Sequence, residues 1–268
     1  MLFRWLTLFL DFPAGSFDAG VAFWREVTGT TLSPFRGPAG EFATLLPPDG
    51  DPYLRVQRIA GGSGGVHLDL HVDPAAGTVD QPARRAVALG ATMLHLSDGL
   101  VILHSPGGFT FCLVRWHEEG AVPRPAVLDA GGPSRLDQLC LDIPPDAYER
   151  ECSFWAALTG WELRSGGRPE FAYLDRPAQI PLRLLLQRKE SAGSPGQVTG
   201  HVDVACAGRE HLASRHVASG ARVVSVFPGW TTMADPAGRP YCLTDRDPET
   251  SNPRTRPHDR ATEPRRRH

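Results

Sequence analysis

The sequence predicts an α+β fold made of four βαβββ modules that form two tandem domains. Two observations carry this prediction: the chain repeats itself once along its length, and each copy shows the same order of strands and amphipathic helices. With 268 residues, of which 41% are hydrophobic, the chain is long enough for each copy to bury a sizeable core. Because the strands dominate over the helices, the class is α+β.

The duplication is visible as pairs of matching segments with a nearly constant offset. The segment AFWREVTGTTL at 22–32 returns at 153–163 as SFWAALTGWEL, 131 residues further on. In the same order VHLDLHV pairs with GHVDVAC, ALGA with ASGA, and HSPGGFTFCL with ADPAGRPYCL. Matches that keep their order and spacing over half of the chain indicate a duplicated domain.

The matched segments set the predicted boundaries. We expect a first domain over residues 1–117 and a second over 135–245. Residues 118–134 are rich in Pro, Gly and charge and have neither helical nor strand periodicity, so they are predicted to be a linker. Residues 246–268 contain almost no apolar side chains and are predicted to form a disordered tail.

The first module of the first copy follows from periodicity and turn residues. A strand near 4–12 leads into an amphipathic helix over 17–28, which ends at Gly29 because glycine is the usual residue just past a helix. Short strands rich in apolar residues follow near 41–47 and 53–59.

The second module repeats this order. A strand in VHLDLHVD is followed by a helix near 79–89 that ends at Gly90. Three strands follow around 91–96, 99–105 and 109–115, and the turn residues PGG separate the last two.

Charge and cysteine content exclude several partners. A formal net charge of −2 provides no field that would attract nucleic acid or an anionic membrane surface, so neither is predicted as a partner. The apolar opening MLFRWLTLFLDF is too short to span a bilayer and has no secretory cleavage signal. Five cysteines without C-x-x-C spacing indicate reduced thiols, and we therefore expect a cytoplasmic protein.

The strand VHLDLHVDP has a polar residue at every second position. Its period of two places His67, Asp69, His71 and Asp73 on one face and the apolar residues on the other. A surface strand, a metal site and a cavity for a small molecule would all produce this pattern, so the face alone does not decide between them.

Together the segments FWREVTG, VHLDLHVD, ALGATML and HSPGGFTFCL, with their second copies, resemble the vicinal oxygen chelate (VOC) superfamily, specifically its glyoxalase-like and bleomycin-resistance-like branch. The resemblance covers roughly residues 4–115 and 135–245. It implies that paired βαβββ modules form two tandem incomplete barrels, each around a cleft that binds a small molecule and often a divalent metal ion. The polar face of VHLDLHVDP is then expected to line such a cleft.

The resemblance also implies where metal ligands would lie. The ligand positions correspond to Thr7, Gln57, His67 and Cys112 in the first copy and to Gln138, Gln187, His201 and Cys242 in the second. Metal-dependent members carry glutamates on the last strand of each module, and neither copy has a carboxylate there. Because a hard divalent cation usually needs an anionic ligand, we predict a degenerate metal site and no cofactor. The alternative is one divalent metal, such as Zn, Fe, Ni or Mn, at His67 or His201.

Roles follow for the remaining polar and aromatic residues. The pairs His67 with Asp69 and His201 with Asp203 are predicted to supply acid–base chemistry, the alternative being buried pairs that only satisfy each other. Predicted ligand-binding residues are Thr7, Gln57, His71, Cys112, Gln138, Tyr173, Gln187, Trp230 and Cys242. Trp230 would stack on a planar ligand, although a core position explains it equally well.

The function predicted is therefore that of a small-molecule-binding VOC protein with a cleft in each domain. The alternative is a metal-dependent lyase or isomerase, or a dioxygenase, of the same superfamily. The expected partner is a small-molecule ligand or substrate. Because a fused repeat can supply within one chain the pairing that single domains obtain by dimerising, we expect a monomer or a homodimer.

Overall fold

The computed structural model describes residues 2–190 and 196–254, and each half of it builds an eight-stranded mixed sheet. The first half contains β1 (Phe3–Pro13), α1 (Phe17–Thr28), β2 (Thr31–Leu32), β3 (Phe42–Leu46), β4 (Leu54–Ile59), β5 (Gly65–Val72), α2 (Asp80–Ala88), β6 (Thr92–Ser97), β7 (Leu100–His104) and β8 (Thr110–Arg115). The second contains β9 (Ser134–Ile143), α3 (Tyr148–Thr159), β10 (Glu162–Ser165), β11 (Phe171–Asp175), β12 (Arg183–Arg188), β13 (Thr199–Cys206), α4 (Arg209–Ala218), β14 (Arg222–Val226), β15 (Trp230–Ala234) and β16 (Pro240–Thr244).

Each sheet joins two βαβββ modules through their first strands. The strand order is β2-β3-β4-β1-β5-β8-β7-β6 in the first sheet and β10-β11-β12-β9-β13-β16-β15-β14 in the second. The central pairs β1 with β5 and β9 with β13 are antiparallel, and both sheets remain open at their outer strands. This confirms the predicted α+β class and the two tandem, incompletely closed domains.

One strand has no counterpart in the sequence pattern. β2 covers only two residues, Thr31 and Leu32, which pair with Leu46 and Leu45 of β3. A strand of this length is too short to show alternation, so periodicity gives no sign of it.

The helix α1 ends as the sequence predicts. Gly29 adopts a left-handed conformation with φ of 66°, and its N–H donates to the carbonyls of Arg25 and Glu26. Glycine is favoured there because it has no Cβ to clash. The helix buries Phe17, Gly20, Val21, Phe23, Trp24 and Val27. No helix in the described part of the chain is long and apolar enough to cross a membrane.

The first helix of each domain packs against the sheet of the other domain. Trp24 of α1 lies 5.2 Å, centroid to centroid, from Tyr241 of β16 and donates its indole N–H to buried Asp235 at 3.0 Å. Trp155 of α3, the duplicate of Trp24, lies 5.2 Å from Phe111 of β8. Such aromatic pairs add about 0.5–1.5 kcal/mol to what burial contributes. The two domains therefore share one hydrophobic core.

Residues 246–254 pack on the second domain, although the sequence places them in a disordered tail. Arg246 is ion-paired with buried Asp137, and Arg254 donates to the carbonyl of Ala207 at 2.7 Å. The low apolar content of this segment gives no sign of these contacts, since they are polar and link residues far apart in sequence. The remaining part of the predicted tail, residues 255–268, lies outside the described residues.

Candidate functional site

Three neighbouring strands of the second sheet bring the candidate site together. In the antiparallel pair β9–β13, His201 lies opposite Cys140, and Asp203 lies opposite Gln138. On the other side of β13, Asp203 is in register with Cys242 of β16. Because side chains alternate along a strand, these polar groups share one face, while the residues between them on β13 point into the core.

His201 is the centre of this arrangement. Its Nδ1 lies 2.8 Å from Oδ2 of Asp142, so that Nε2 faces Asp203 Oδ1 at 3.5 Å and Cys242 Sγ at 3.8 Å. One potential ligand atom from each of His201, Asp203 and Cys242 lies within 4.8 Å of the others. A nitrogen, an oxygen and a sulfur donor therefore converge on one small volume.

Two oxygen atoms beside this cluster are buried without a hydrogen-bond partner. They are Oε1 of Gln138 and Oδ1 of Asp203, whereas the amide nitrogen of Gln138 does donate to the other carboxylate oxygen of Asp203. A buried acceptor without a donor is costly, by about 1–3 kcal/mol. Both atoms are suited to meet a cation or a ligand.

The ionisable groups of the cluster favour their protonated forms. Burial raises the pKa of the Asp203 carboxyl, an effect that His201 and Arg246 offset only in part. Burial likewise raises the pKa of the Cys242 thiol. Burial opposes charge on His201, but Cys140 and the hydrogen bond with Asp142 outweigh it and hold the pKa of the imidazole well above its usual value. A cation entering this cluster would displace protons.

The cluster opens into a cleft of about 420 Å³ in the second domain. The residues that line it include Gln138, Cys140, Phe171, Arg183, Gln187, His201, Asp203, Trp230, Cys242 and Arg246. The ring of Trp230 stacks on Phe227 at 4.7 Å and meets Phe171 edge to face at 6.1 Å. The cleft thus combines a polar floor with a flat aromatic wall, a composition typical of small-molecule sites.

The first domain contains a similar cluster. His67 Nδ1 lies 2.7 Å from Asp11 Oδ2, and the imidazole stacks on Phe9 at 4.3 Å. Donor atoms of His67, Asp69 and Cys112 also lie within 4.8 Å of one another. Burial opposes charge on His67, but Asp11 outweighs it and raises the pKa of the imidazole.

Polar contacts in the first domain occupy Thr7 and one ring nitrogen of His71, whereas Oδ1 of Asp11 is buried without a hydrogen-bond partner. Thr7, the counterpart of Gln138, lies with its Oγ1 2.9 Å from Nε2 of His71. The other ring nitrogen of His71 faces Glu119 of the linker at 3.5 Å, an electrostatic contact outside hydrogen-bond geometry. Thr7 and His71 are almost completely buried. His71 therefore pairs with protein groups, and the second domain has Ala205 in its place.

The predicted site residues lie in different surroundings. His67, Asp69 and Cys112 converge in the first domain, and Gln138, Gln187, His201, Asp203, Trp230 and Cys242 line the cleft of the second. Tyr173 contributes indirectly, because its ring supports the guanidinium of Arg183 at 3.7 Å. Gln57 is half-buried on β4, opposite Asp11. Asp73 does not share the predicted face, since it caps the turn after β5 and pairs with Arg4.

Sequence reasoning missed four residues of these sites. Each histidine hydrogen-bonds an aspartate on the adjacent strand, Asp11 or Asp142, and not the predicted aspartate two residues away on its own strand. The duplicated LDF and LDI at the ends of the first strands carry these residues and were the available signal. Arg183 and Arg246 were also missed, because nothing in their local sequence indicates a cavity.

The donor set of the second domain fits a divalent metal ion. Zinc accepts histidine nitrogen, carboxylate oxygen and cysteine sulfur, and Asp203 supplies an anionic ligand. A metal-bound histidine usually donates its other ring nitrogen to a carboxylate, as His201 does to Asp142. The unpartnered oxygens of Gln138 and Asp203 complete an environment that a cation would satisfy.

Comparison with known proteins establishes the family. The family model described as "Glyoxalase-like domain" matches the chain twice, at residues 7–114 and 138–244. The chain therefore belongs to the family of glyoxalase-like domain proteins, which confirms the resemblance to the VOC superfamily. No curated protein gives a significant match to the sequence.

Three solved structures that share the fold with this chain are enzymes by name. The 2,2',3-trihydroxybiphenyl 1,2-dioxygenase of Sphingomonas wittichii strain RW1 is 17% identical and matches 91% of this chain and 90% of its own, with a TM-score of 0.61. The Mn(II)-bound glyoxalase of Novosphingobium aromaticivorans is 18% identical over 91% and 81% of the two chains, with a TM-score of 0.62. A variant of homoprotocatechuate 2,3-dioxygenase from B. fuscum is 16% identical over 92% and 71%, with a TM-score of 0.61.

These neighbours show that the prediction of no cofactor is wrong. A Mn(II)-bound glyoxalase shares the fold, and with the dioxygenases it points to a divalent metal and not to none. The prediction rested on the missing carboxylates of the last strands. Asp69 and Asp203, in register with Cys112 and Cys242, bring carboxylates to the same place from the neighbouring strand.

Proposed function

We propose that this protein binds a small organic molecule together with one divalent metal ion in the cleft of its second domain. The observation that carries the proposal is the cluster of His201, Asp203 and Cys242, which faces a cleft of about 420 Å³ beside buried oxygens that lack donors. In the first domain the counterpart of Gln138 is already bonded to His71. The second domain is therefore the better candidate.

The proposed ligands are Nε2 of His201, the carboxylate of Asp203 and the thiolate of Cys242, with the amide oxygen of Gln138 as a further donor. A set that mixes nitrogen, oxygen and sulfur suits zinc better than magnesium or calcium, which prefer oxygen alone. When bound, such an ion polarises oxygen atoms of the ligand as a Lewis acid. Asp142 holds the imidazole of His201 in one tautomer, and Trp230 and Phe171 provide aromatic surface in the cleft for an apolar part of the ligand.

A metal-dependent enzyme, either a lyase or isomerase or a dioxygenase, is the second candidate. It is favoured by the structural neighbours, a glyoxalase and two dioxygenases, each of which matches more than 90% of this chain. Fold similarity alone does not choose among these reactions, and the site residues would have to be tested against each substrate class.

Metal binding to matched variants tests the proposal. The protein is stripped with a chelator and titrated with Zn(II) against a competing indicator, as wild type and as His201→Ala and His67→Ala. We expect His201→Ala to lose at least about tenfold in affinity and His67→Ala to keep the wild-type value, since loss of even an indirect metal contact costs about tenfold or more. Equal losses in both variants, or wild type that binds no Zn(II), would overturn the proposal. Thermal unfolding of the metal-free variants confirms that both are folded.

A further inference from the structure

We infer that the second-domain cleft selects an organic anion with a planar apolar portion, and that Arg183 binds its negative group. This inference rests on the function proposed above and names the class of its ligand. It starts from four arginines that lie close to one another, Arg135, Arg176, Arg183 and Arg246, of which Arg183 and Arg246 line the cleft.

The positive charge of this group is not balanced by carboxylates. In residues 2–190 and 196–254, the carboxylates at ion-pair distance from these arginines are those of Asp137 and Asp203, and Arg246 pairs with both. Four guanidinium groups thus face two carboxylates.

Arg183 is the member of the group that is best placed to meet a ligand. It lines the cleft, its Nη1 donates to the carbonyl of Ser251 at 3.3 Å, and its guanidinium lies 3.7 Å over the ring of Tyr173. Its Nε is buried without a hydrogen-bond partner. Burial and the nearby charge of Arg246 lower its pKa, so the protein maintains this charge at a cost.

An anionic ligand would accept a hydrogen bond from Nε of Arg183, which has no partner within the protein. A carboxylate accepts two parallel hydrogen bonds from a guanidinium, an arrangement that is stronger and more specific than a contact with a neutral group. Trp230, with Phe171 at its edge, lines the same cleft. Phe227 stacks on its ring and the guanidinium of Arg168 lies 4.8 Å over it, so an aromatic or other planar group would stack there by displacing Arg168.

The first domain does not repeat this arrangement, although Arg55, which is close to Asp69, likewise has a buried Nε without a partner and lies 5.5 Å over the ring of Phe9. The positions that correspond to Arg183 and Arg246 hold Tyr53 and Trp116. The hydroxyl of Tyr53 donates to the carbonyl of Leu136, and the indole of Trp116 donates to the carbonyl of Glu119. The duplicated domains therefore differ in charge at these two positions, and the inference concerns the second domain, where both arginines line the cleft.

A pair of probes that differ only in charge tests the inference. Binding of 2-naphthoate and of the neutral 2-naphthamide is measured by calorimetry on wild type, Arg183→Gln and Arg164→Gln. Arg164 is a matched control, because it pairs with Glu162 and Asp175 on the exposed β10 edge outside the cleft. We expect wild type and Arg164→Gln to prefer naphthoate at least about tenfold, and Arg183→Gln to lose that preference.

Repeating the titrations with Zn(II) and with EDTA separates the two proposals. A preference for naphthoate that persists in EDTA and disappears in Arg183→Gln supports the anion site even if zinc binding fails. A preference that requires zinc and survives Arg183→Gln would assign the carboxylate to the metal and overturn this inference alone. Equal binding of the two probes, or binding of neither, would also overturn it. If Arg183→Gln fails to fold, Arg183→Lys replaces it and is expected to weaken the preference, because lysine keeps the charge but not the planar pair of donors.

Discussion

His201 and Asp142 lie on adjacent antiparallel strands with Nδ1 and Oδ2 2.8 Å apart, and their duplicates His67 and Asp11 repeat this contact at 2.7 Å. Nδ1 of the histidine donates to the carboxylate, so the lone pair of a neutral ring is on Nε2. Nε2 of His201 faces Asp203 and Cys242. The aspartate therefore fixes both the tautomer and the direction of the imidazole.

Replacing Asp142 by asparagine is expected to weaken Zn(II) binding by between about tenfold and about a hundredfold, because a neutral amide makes the imidazole a weaker ligand. Competition titration against a zinc indicator measures the change. Asp11→Asn, which alters the same contact in the first domain, is the control and is expected to leave the affinity unchanged. An unchanged affinity in Asp142→Asn would mean that this pair does not support a metal ligand.

Cys242→Ser is expected to lower the affinity for Zn(II) more than the affinity for Mn(II), since a thiolate favours zinc and a hydroxyl does not. Parallel titrations with the two ions give the ratio. Cys112→Ser in the first domain should leave the ratio of the two affinities as in wild type. If Cys242→Ser changes neither affinity, the thiol is a packing residue and not a ligand.

Glu119 is expected to make the free energy of unfolding depend on pH in the acidic range. Burial would raise its pKa, but the contact with His71 and the N–H groups of Glu119 and His117 lower it to about 2. Because the folded pKa lies below the ordinary value near 4.5, its stabilising effect is complete above that value and is lost as pH falls toward about 2. Glu119→Gln should be less stable than wild type at neutral pH, and the difference should shrink in acid. The exposed neighbour Glu118→Gln is the control for urea unfolding at several pH values, and a difference that is constant with pH would contradict the assignment.

Trp24→Phe tests the contact between the domains. It removes the indole N–H that Asp235 accepts at 3.0 Å. Trp161→Phe is a matched control, because the indole N–H of Trp161 is buried without a partner. We expect Trp24→Phe to lower the free energy of unfolding by about 1–3 kcal/mol more than Trp161→Phe does, as measured by denaturant titration. Equal losses would show that the hydrogen bond contributes nothing beyond packing.

Most of the fold could be predicted because its signals are local and occur twice. The helix that ends at Gly29, the alternation around His67 and the turn before β8 each follow from a few neighbouring residues, and the duplication supplies an independent copy of each. β2 could not be predicted, since its two residues form a strand only because β3 lies beside them.

The site could be predicted only in part, because its chemistry depends on pairing between strands. The polar alternation identifies His201 and Asp203, but their partners follow from register. Cys242 reaches Asp203 through a parallel pairing, and Asp142 reaches His201 across an antiparallel one. Composition alone places Arg246 in a tail, although an ion pair with Asp137 holds it beside the cleft. Contacts of this kind leave no periodic trace in the sequence.

The packing of α1 and α3 against strands of both domains has a consequence for how the duplicated halves can diverge. Each domain supplies a tryptophan, Trp24 or Trp155, that packs against the sheet of the other domain. Loss of either domain would therefore expose part of the core of the other. A mutation that removes the candidate metal ligands of one domain therefore leaves the packing between the domains intact. That domain can lose its site and still be retained for the stability of the other. Arg183 and Arg246, which are replaced by Tyr53 and Trp116 in the first domain, are differences of the kind that such divergence would produce.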